Sequence, residues 1–83
     1  MAYRLIFTEK FLSDISGLDH SVKVLVKKLY DKIEKEPRRF KPLHGDANVF
    51  RLRILNYRLI YKVRGEEILI LRFEKRSRIY GRQ

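Results

Sequence analysis

The stretch Val49-Phe50-Arg51-Leu52-Arg53-Ile54-Leu55-Asn56-Tyr57-Arg58-Leu59-Ile60-Tyr61-Lys62-Val63-Arg64 decides how this chain folds. Successive side chains of a strand point to opposite faces, so a strand from about Val49 to Leu55 turns Phe50, Leu52 and Ile54 to one side and Arg51 and Arg53 to the other. Asn56 marks a tight turn, and Tyr57 to Arg64 reads as the returning strand of a hairpin that brings Arg58 near Arg51 and Arg53. Like charges clustered on a sheet lower stability, so in a small chain such a face points to a bound anion, first of all a phosphate backbone.

Working outward, Gly65-Glu66 is the next turn and leads to a strand from Glu67 through Phe73. Its apolar run, Ile68 to Leu71, suits a central strand covered on both faces. Residues 38 to 47 contain Pro42, Gly45 and Asp46 and read as a loop. Before them, Val22, Leu25, Val26, Leu29 and Ile33 form the buried stripe of a helix that Asp19 or Ser21 can cap and Pro37 ends. A shorter helix precedes it, capped by Thr8, with Phe11, Leu12, Ile15 and Leu18 on one face and its end at Gly17-Leu18. Tyr3 to Phe7 is a short first strand. The order β-α-α-β-β-β gives an α+β fold. The N-terminal strand pairs into the same sheet, and an antiparallel helix hairpin packs on one face of an antiparallel sheet. Residues 1–83 are expected to form one domain, small enough for its stability to be modest.

Charge is spread unevenly. Residues 1 to 37 carry seven cations and six anions, whereas residues 38 to 83 carry thirteen cations and four anions. The N-terminal half therefore reads as an ordinary solvated helical surface, and the C-terminal half, rich in arginine, as a nucleic-acid footprint. With no cysteine, the chain has no disulfide and no thiolate metal site, which is compatible with a reducing cytoplasm. No apolar run reaches the length of a signal peptide or membrane span, so a cytoplasmic protein with no membrane partner is expected. His20 and His44 lack metal-ligand spacing, and no glycine-rich phosphate loop or nucleophile elbow occurs; no cofactor is expected. His20 fits the solvated start of a helix and His44 an exposed loop. Glu66 and Glu67 are neighbours at a turn, where their side chains diverge as surface charge.

The cations carry the chemical reading. Arg51, Arg53 and Arg58 can converge across the hairpin, and the segment Lys75-Arg76-Ser77-Arg78-Ile79-Tyr80 can bring a further arginine and a phenol to the same face. Arginines around a phosphodiester would stabilise the extra negative charge of a pentacoordinate transition state. RNA supplies its own nucleophile, the 2′-OH beside each phosphate. On the residues alone, a surface that only holds RNA and one that cleaves it both remain open.

Four segments, in order and spacing, resemble the RelE branch of the RelE/ParE toxin superfamily over nearly the whole chain. Tyr3-Arg4-Leu5-Ile6-Phe7-Thr8-Glu9-Lys10-Phe11 is similar to the family's opening. Pro42-Leu43-His44-Gly45 with Val49-Phe50-Arg51-Leu52-Arg53 resembles its loop-to-strand signature, and Asn56-Tyr57-Arg58-Leu59-Ile60-Tyr61 its core motif. Lys75 to Tyr80 looks like its terminal His/Lys-Arg-x-x-x-Tyr segment.

The resemblance implies a toxin of a type II toxin-antitoxin system. It would be a metal-independent endoribonuclease (an mRNA interferase) that cleaves message in the ribosomal A site by 2′-OH attack, leaving a 2′,3′-cyclic phosphate. The partners implied are a RelB-like antitoxin, the ribosome and mRNA. Arg51, Arg53 and Arg58 would neutralise the scissile phosphate, and Arg76 would stabilise the transition state or protonate the leaving group. Tyr80 would stack on or orient a base, or share in proton transfer. Family members commonly carry lysines where Arg51 and Arg53 stand, which leaves the general base unassigned, with Lys75 or a Tyr80 phenol lowered by nearby cations as candidates. The alternatives are a ParE-like toxin, which acts on DNA gyrase without nuclease chemistry, and a non-catalytic RNA-binding module.

Overall fold

The computed structural model describes residues 3–43 and 45–75; His44, Arg76 and Tyr80 lie outside the described residues. The elements are β1 (Arg4–Phe7), α1 (Glu9–Ser16), α2 (His20–Lys35), β2 (Lys41–Leu43), β3 (Asp46–Ile54), β4 (Tyr57–Arg64) and β5 (Glu67–Lys75). They form a five-stranded sheet in the order β1-β5-β4-β3-β2. β1 pairs with β5 in parallel, so the sheet is mixed rather than wholly antiparallel. The remaining neighbours are antiparallel, as the hairpin reading expected.

Both helices pack on one face of this sheet. Phe11 of α1 and Val26, Leu29 and Ile33 of α2 meet Phe50, Leu52, Leu59, Tyr61, Val63, Ile68, Ile70 and Phe73 in one core. The alternation of β3 and β4 is therefore as the sequence predicts: the apolar set faces the helices and the arginines face away. Tyr61 is fully buried, and its hydroxyl donates to the Pro37 carbonyl at 2.7 Å, which ties the end of the α2 region to the middle of the sheet. Burial pushes its phenol well above the ordinary value. None of the described helices is long and apolar enough to cross a membrane.

Two local expectations are corrected. Residues 38–47 are not all loop, because Lys41–Leu43 forms the edge strand β2 and β3 begins at Asp46 rather than Val49. Pro42 reads as a loop signal because it lacks an N–H, but at a sheet edge one side of the strand needs no donor. In β5, the run Ile68 to Leu71 is not covered on both faces: Ile68 and Ile70 are buried, whereas Leu69 and Leu71 are half-buried.

That run conceals a β-bulge. Ile60 pairs with Arg72 and Tyr61 with Ile70, so Leu71 is an extra residue in β5. Before it, the even residues Ile68 and Ile70 face the core; after it, Phe73 does. The single inserted residue thus changes the parity of the strand and sends Arg72 and Glu74 to the outer face. Thr8 holds the bulge. Its hydroxyl donates to the carbonyls of Ile70 and Leu71, at 2.7 and 3.1 Å, while accepting the Phe11 N–H as the N-cap of α1. β1 ends opposite Ile70, so among the described residues the later N–H groups on that edge of β5 have no strand partner. Asp14 of α1 takes their place, its Oδ2 accepting the Phe73 N–H at 2.9 Å.

Burial would raise the Asp14 carboxyl, but hydrogen bonds from Lys10 and the Phe73 N–H, with the charges of Lys10 and Arg72, outweigh it and hold the group below its ordinary value of 3.8. A carboxyl depressed in the folded state contributes stability above its unfolded value and loses it as pH falls through the folded one. Asp14→Ala should therefore cost about 1–3 kcal/mol at neutral pH by leaving a buried N–H unpaired. In urea denaturation the gap from wild type should narrow below about pH 4.

The β3–β4 turn carries a second local strain. Ile54 pairs with Tyr57, leaving Leu55-Asn56 as a two-residue loop in which Leu55 adopts φ 55°. Leu55 is the only non-glycine with positive φ among the described residues, and it is 61% exposed. A left-handed leucine costs about 1–2 kcal/mol, more than the flexibility glycine adds to the unfolded chain. Leu55→Gly should raise stability by about 0.5–1 kcal/mol, read as a melting temperature several degrees higher.

Candidate nucleic-acid interface

The outer face of the sheet is set by register. Arg53 of β3 pairs with Arg58 of β4, and Arg58 pairs in turn with Glu74 of β5. In the next row Arg51, Ile60 and Arg72 stand side by side, and in the row beyond Lys62 lies between Val49 and Leu69. Directly opposed side chains in a sheet have Cβ atoms about 4.5–5.5 Å apart, so Arg53 and Arg58 are in contact range, with Arg51, Arg72 and Lys62 in the rows beyond them on the same face. Ile60 is 1% exposed although it lies on the face without helices. Its neighbours Arg51 and Arg72 have long apolar stems that can cover it while their heads stay in water.

The structure thus brings Arg51, Arg53 and Arg58 to one face. It adds Arg72, which the sequence reading left out because the unbroken period of β5 would have turned it inward. Glu74 is the second addition. It accepts Arg58 Nε at 2.9 Å on Oε2 and Arg72 Nε at 3.0 Å on Oε1, with all three side chains only partly exposed. Among the described residues Arg51 and Arg53 have no acidic partner. Lys75 is placed differently from its expectation. It pairs with Tyr57 in the row after Phe73, which puts it on the helix side of the strand and away from the Arg58 face.

Arg51 and Arg53 also border an open groove of about 510 Å³ at the edge of β3, lined by Leu29, Lys32, Phe40, Lys41 and Leu52 as well. The groove opens where β2 stops pairing, beyond Lys41 and Arg51. Four of its lining residues are cations and none is an acid. Lys32 belongs to the helical half that reads as ordinary solvated surface; its part in this wall follows from α2 crossing behind β3 and is invisible to a charge count. Elsewhere the acids behave as surface charge. Glu67 is held below its ordinary range by hydrogen bonds from Arg64 and then Arg4, and His20 is exposed at the start of α2.

Residues 5–80 match the model of the family described as ParE toxin of type II toxin-antitoxin system, parDE. The chain is 26% identical to the E. coli toxin RelE, solved as a mutant in complex with an antitoxin RelB peptide, over 93% of this chain and 86% of that one, with a TM-score of 0.84. The chain belongs to the RelE/ParE superfamily, in its RelE branch. It is likewise 26% identical to a chain of the archaeal RelE-RelB complex from Pyrococcus horikoshii OT3, covering 94% of this chain and 99% of that one, with a TM-score of 0.80. A chain of the ParDE system of P. aeruginosa, at 18% identity, shares the fold alone; it covers 90% of this chain and 97% of that one, with a TM-score of 0.68. Comparison with curated proteins gives no match. As a member of this superfamily the protein is a toxin of a type II toxin-antitoxin system.

Arg53 faces another arginine across the β3–β4 ladder, so the stability of this toxin should improve when that charge is removed. Arg53→Gln should melt higher than wild type at low ionic strength, and the difference should vanish at high salt, where the screening length falls to about 3 Å. The same variant should bind single-stranded RNA more weakly. Its plot of log affinity against log salt should be shallower by about 0.7, the value of one lost phosphate contact.

Proposed function

We propose that this toxin is an mRNA endonuclease acting on message held in the ribosomal A site. The observation that carries the reading is the row Arg53-Arg58 beside Arg51, cations set on paired strands whose alternate apolar residues lie in the core. Three cations side by side can meet the non-bridging oxygens of one phosphodiester, and the planar guanidinium fork suits that contact.

In this mechanism the ribose 2′-OH attacks the adjacent phosphorus. A P–O bond forms to the 2′ oxygen and the bond to the 5′ oxygen breaks, leaving a 2′,3′-cyclic phosphate and a free 5′-OH. Arg51, Arg53 and Arg58 would bear the charge that gathers on the phosphorane. By resemblance, Arg76 would join them or protonate the departing oxygen. Lys75 stands on the other side of its strand, so Tyr80 becomes the better candidate for taking up the 2′ proton. The grooves lined by Arg51 and Arg53 and by Phe7 and Leu12 are open to solvent, so the ribosome would supply the alignment of the message. The partner would be a RelB-like antitoxin, met in the cytoplasm. Phe7 and Leu12 are 39% and 49% exposed and, with Ile15 and Tyr30, line an apolar groove of about 270 Å³ rimmed by Lys23 and Lys27, which suits an acidic segment with an apolar stripe.

The test is primer extension on programmed ribosomes. Wild type should cut message in the A site and leave cyclic-phosphate ends, and should act far more slowly on free RNA. Arg58→Ala should lose about 3 kcal/mol of transition-state stabilisation, roughly a hundredfold in rate, without unfolding. Arg64→Ala, at the β4–β5 turn, should be mild. Inhibition of gyrase with no cut message would replace this reading with the ParE-like one, and RNA binding with neither effect would leave a binding module.

A further inference from the structure

Glu74 is an acid in the middle of a cationic face, which calls for an explanation. The two hydrogen bonds that join it to Arg58 and Arg72 both use Nε, one on each carboxylate oxygen. An arginine that merely neutralises a carboxylate commonly meets it end-on, with two parallel N–H bonds. Here one N–H of each guanidinium holds the carboxylate, and among the described residues no hydrogen bond occupies the Nη groups of Arg58 or Arg72. The carboxylate is itself well placed to span the pair. Glu74 lies directly across from Arg58, and Arg72 precedes it by two residues on the same face. Both β5 residues reach this face only because Leu71 is bulged, and Asp14 pins the backbone between them through the Phe73 N–H.

We infer that Glu74 is a positioning residue that joins Arg58 and Arg72 into one phosphate-binding pair, so that Arg72 contacts the same phosphodiester of single-stranded RNA as Arg58. The inference rests on the nuclease reading for its effect on rate, but its geometry stands apart from that reading. With its Nε restrained, each guanidinium can no longer swing about its stem, and its two Nη groups keep a fixed direction for non-bridging oxygens. The group of three has a net charge of +1, so part of the attraction for RNA is exchanged for alignment.

Simple electrostatics and alignment predict opposite signs, which makes the proposal testable. If Glu74 only weakens a cationic surface, Glu74→Gln should bind RNA more tightly and cleave at least as fast. If Glu74 aligns, Glu74→Gln has one acceptor oxygen for two Nε donors and should cut ribosome-bound message about ten- to fiftyfold more slowly, with little change in the half-saturating ribosome concentration. Glu74→Asp keeps the charge but is one methylene too short to span both arginines, and should show the same loss. Glu66→Gln removes an equal charge at the exposed turn and should leave the rate unchanged. Arg72→Ala should lower the rate and, with an uncleavable 2′-deoxy-substituted oligonucleotide, reduce the salt slope of binding by about 0.7.

A direct reading comes from the arginine Nε–Hε resonances. In wild type those of Arg58 and Arg72 should shift together, with one apparent affinity, as inorganic phosphate is added. In Glu74→Gln the pair should no longer respond together. A wild type that fails to cleave would refute the nuclease reading, and the phosphate titration would still decide the pairing. Wild-type rates in both Glu74 variants, or Arg58 and Arg72 resonances that ignore phosphate or respond with unrelated affinities, would overturn the proposal.

Discussion

The extra residue at Leu71 and the two α1-side groups that hold it are the constraint on which the outer face depends. A strand of unbroken period would turn Arg72 toward the core and Phe73 toward water, which is untenable for both. The bulge resolves this in one step, but it leaves adjacent carbonyls and a later N–H outside the ladder. Thr8 takes the carbonyls and Asp14 the N–H. One hydroxyl therefore ends β1, starts α1 and fixes the phase of β5. Arg58 on β4 and the acid that meets it on β5 are in register because a helix start, far away in sequence, is hydrogen-bonded to the middle of the last described strand.

The two faces of the sheet divide stability from function. The helix face holds nearly all the large apolar side chains, with Tyr61 linking the sheet to the region after α2 through its buried hydroxyl. The outer face in places opposes folding, with Arg53 set against Arg58 and, among the described residues, no acid paired to Arg51 or Arg53. Repulsion of this kind is tolerable only because the other face is well packed. It is also what allows the face to gain most from meeting a polyanion or an acidic protein segment, since binding relieves it.

Much of this was legible from residues alone. Alternation in Phe50-Arg51-Leu52-Arg53 and around Arg58 gave the hairpin, its buried side and the cationic side; Thr8 and the stripe Val22 to Ile33 gave both helices. The failures have separate physical causes. β2 was hidden because Pro42 signals a loop unless the strand is known to lie at an edge. Arg72 and Glu74 were missed because period-2 reasoning cannot detect a parity change inside an unbroken apolar run, where Leu69, Ile70 and Leu71 look alike. Lys32 was assigned to a solvated helix face because only the packing of α2 behind β3 carries it to the groove. The parallel pairing of β1 was not read, since nothing local in a four-residue strand states its direction. Lys75 was grouped with its sequence neighbours although it falls on the other side of the strand.

The place of β1 in the sheet also sets an order of events during synthesis. Its partner is β5, and the bond from Arg4 to Glu67 spans 63 positions of sequence. Helices and the β3–β4 hairpin are local and can form as they emerge, but the first strand has no neighbour until the last described one has been made. The bulge, which needs Thr8 and Asp14 on one side and β4 on the other, closes at the same late moment. Until β5 has been made, a nascent chain therefore carries the arginines of β3 and β4 without their full arrangement. For a protein proposed to cut the message in the decoding site, late closure means that the cationic face takes its arrangement only once β5 has joined both β1 and β4.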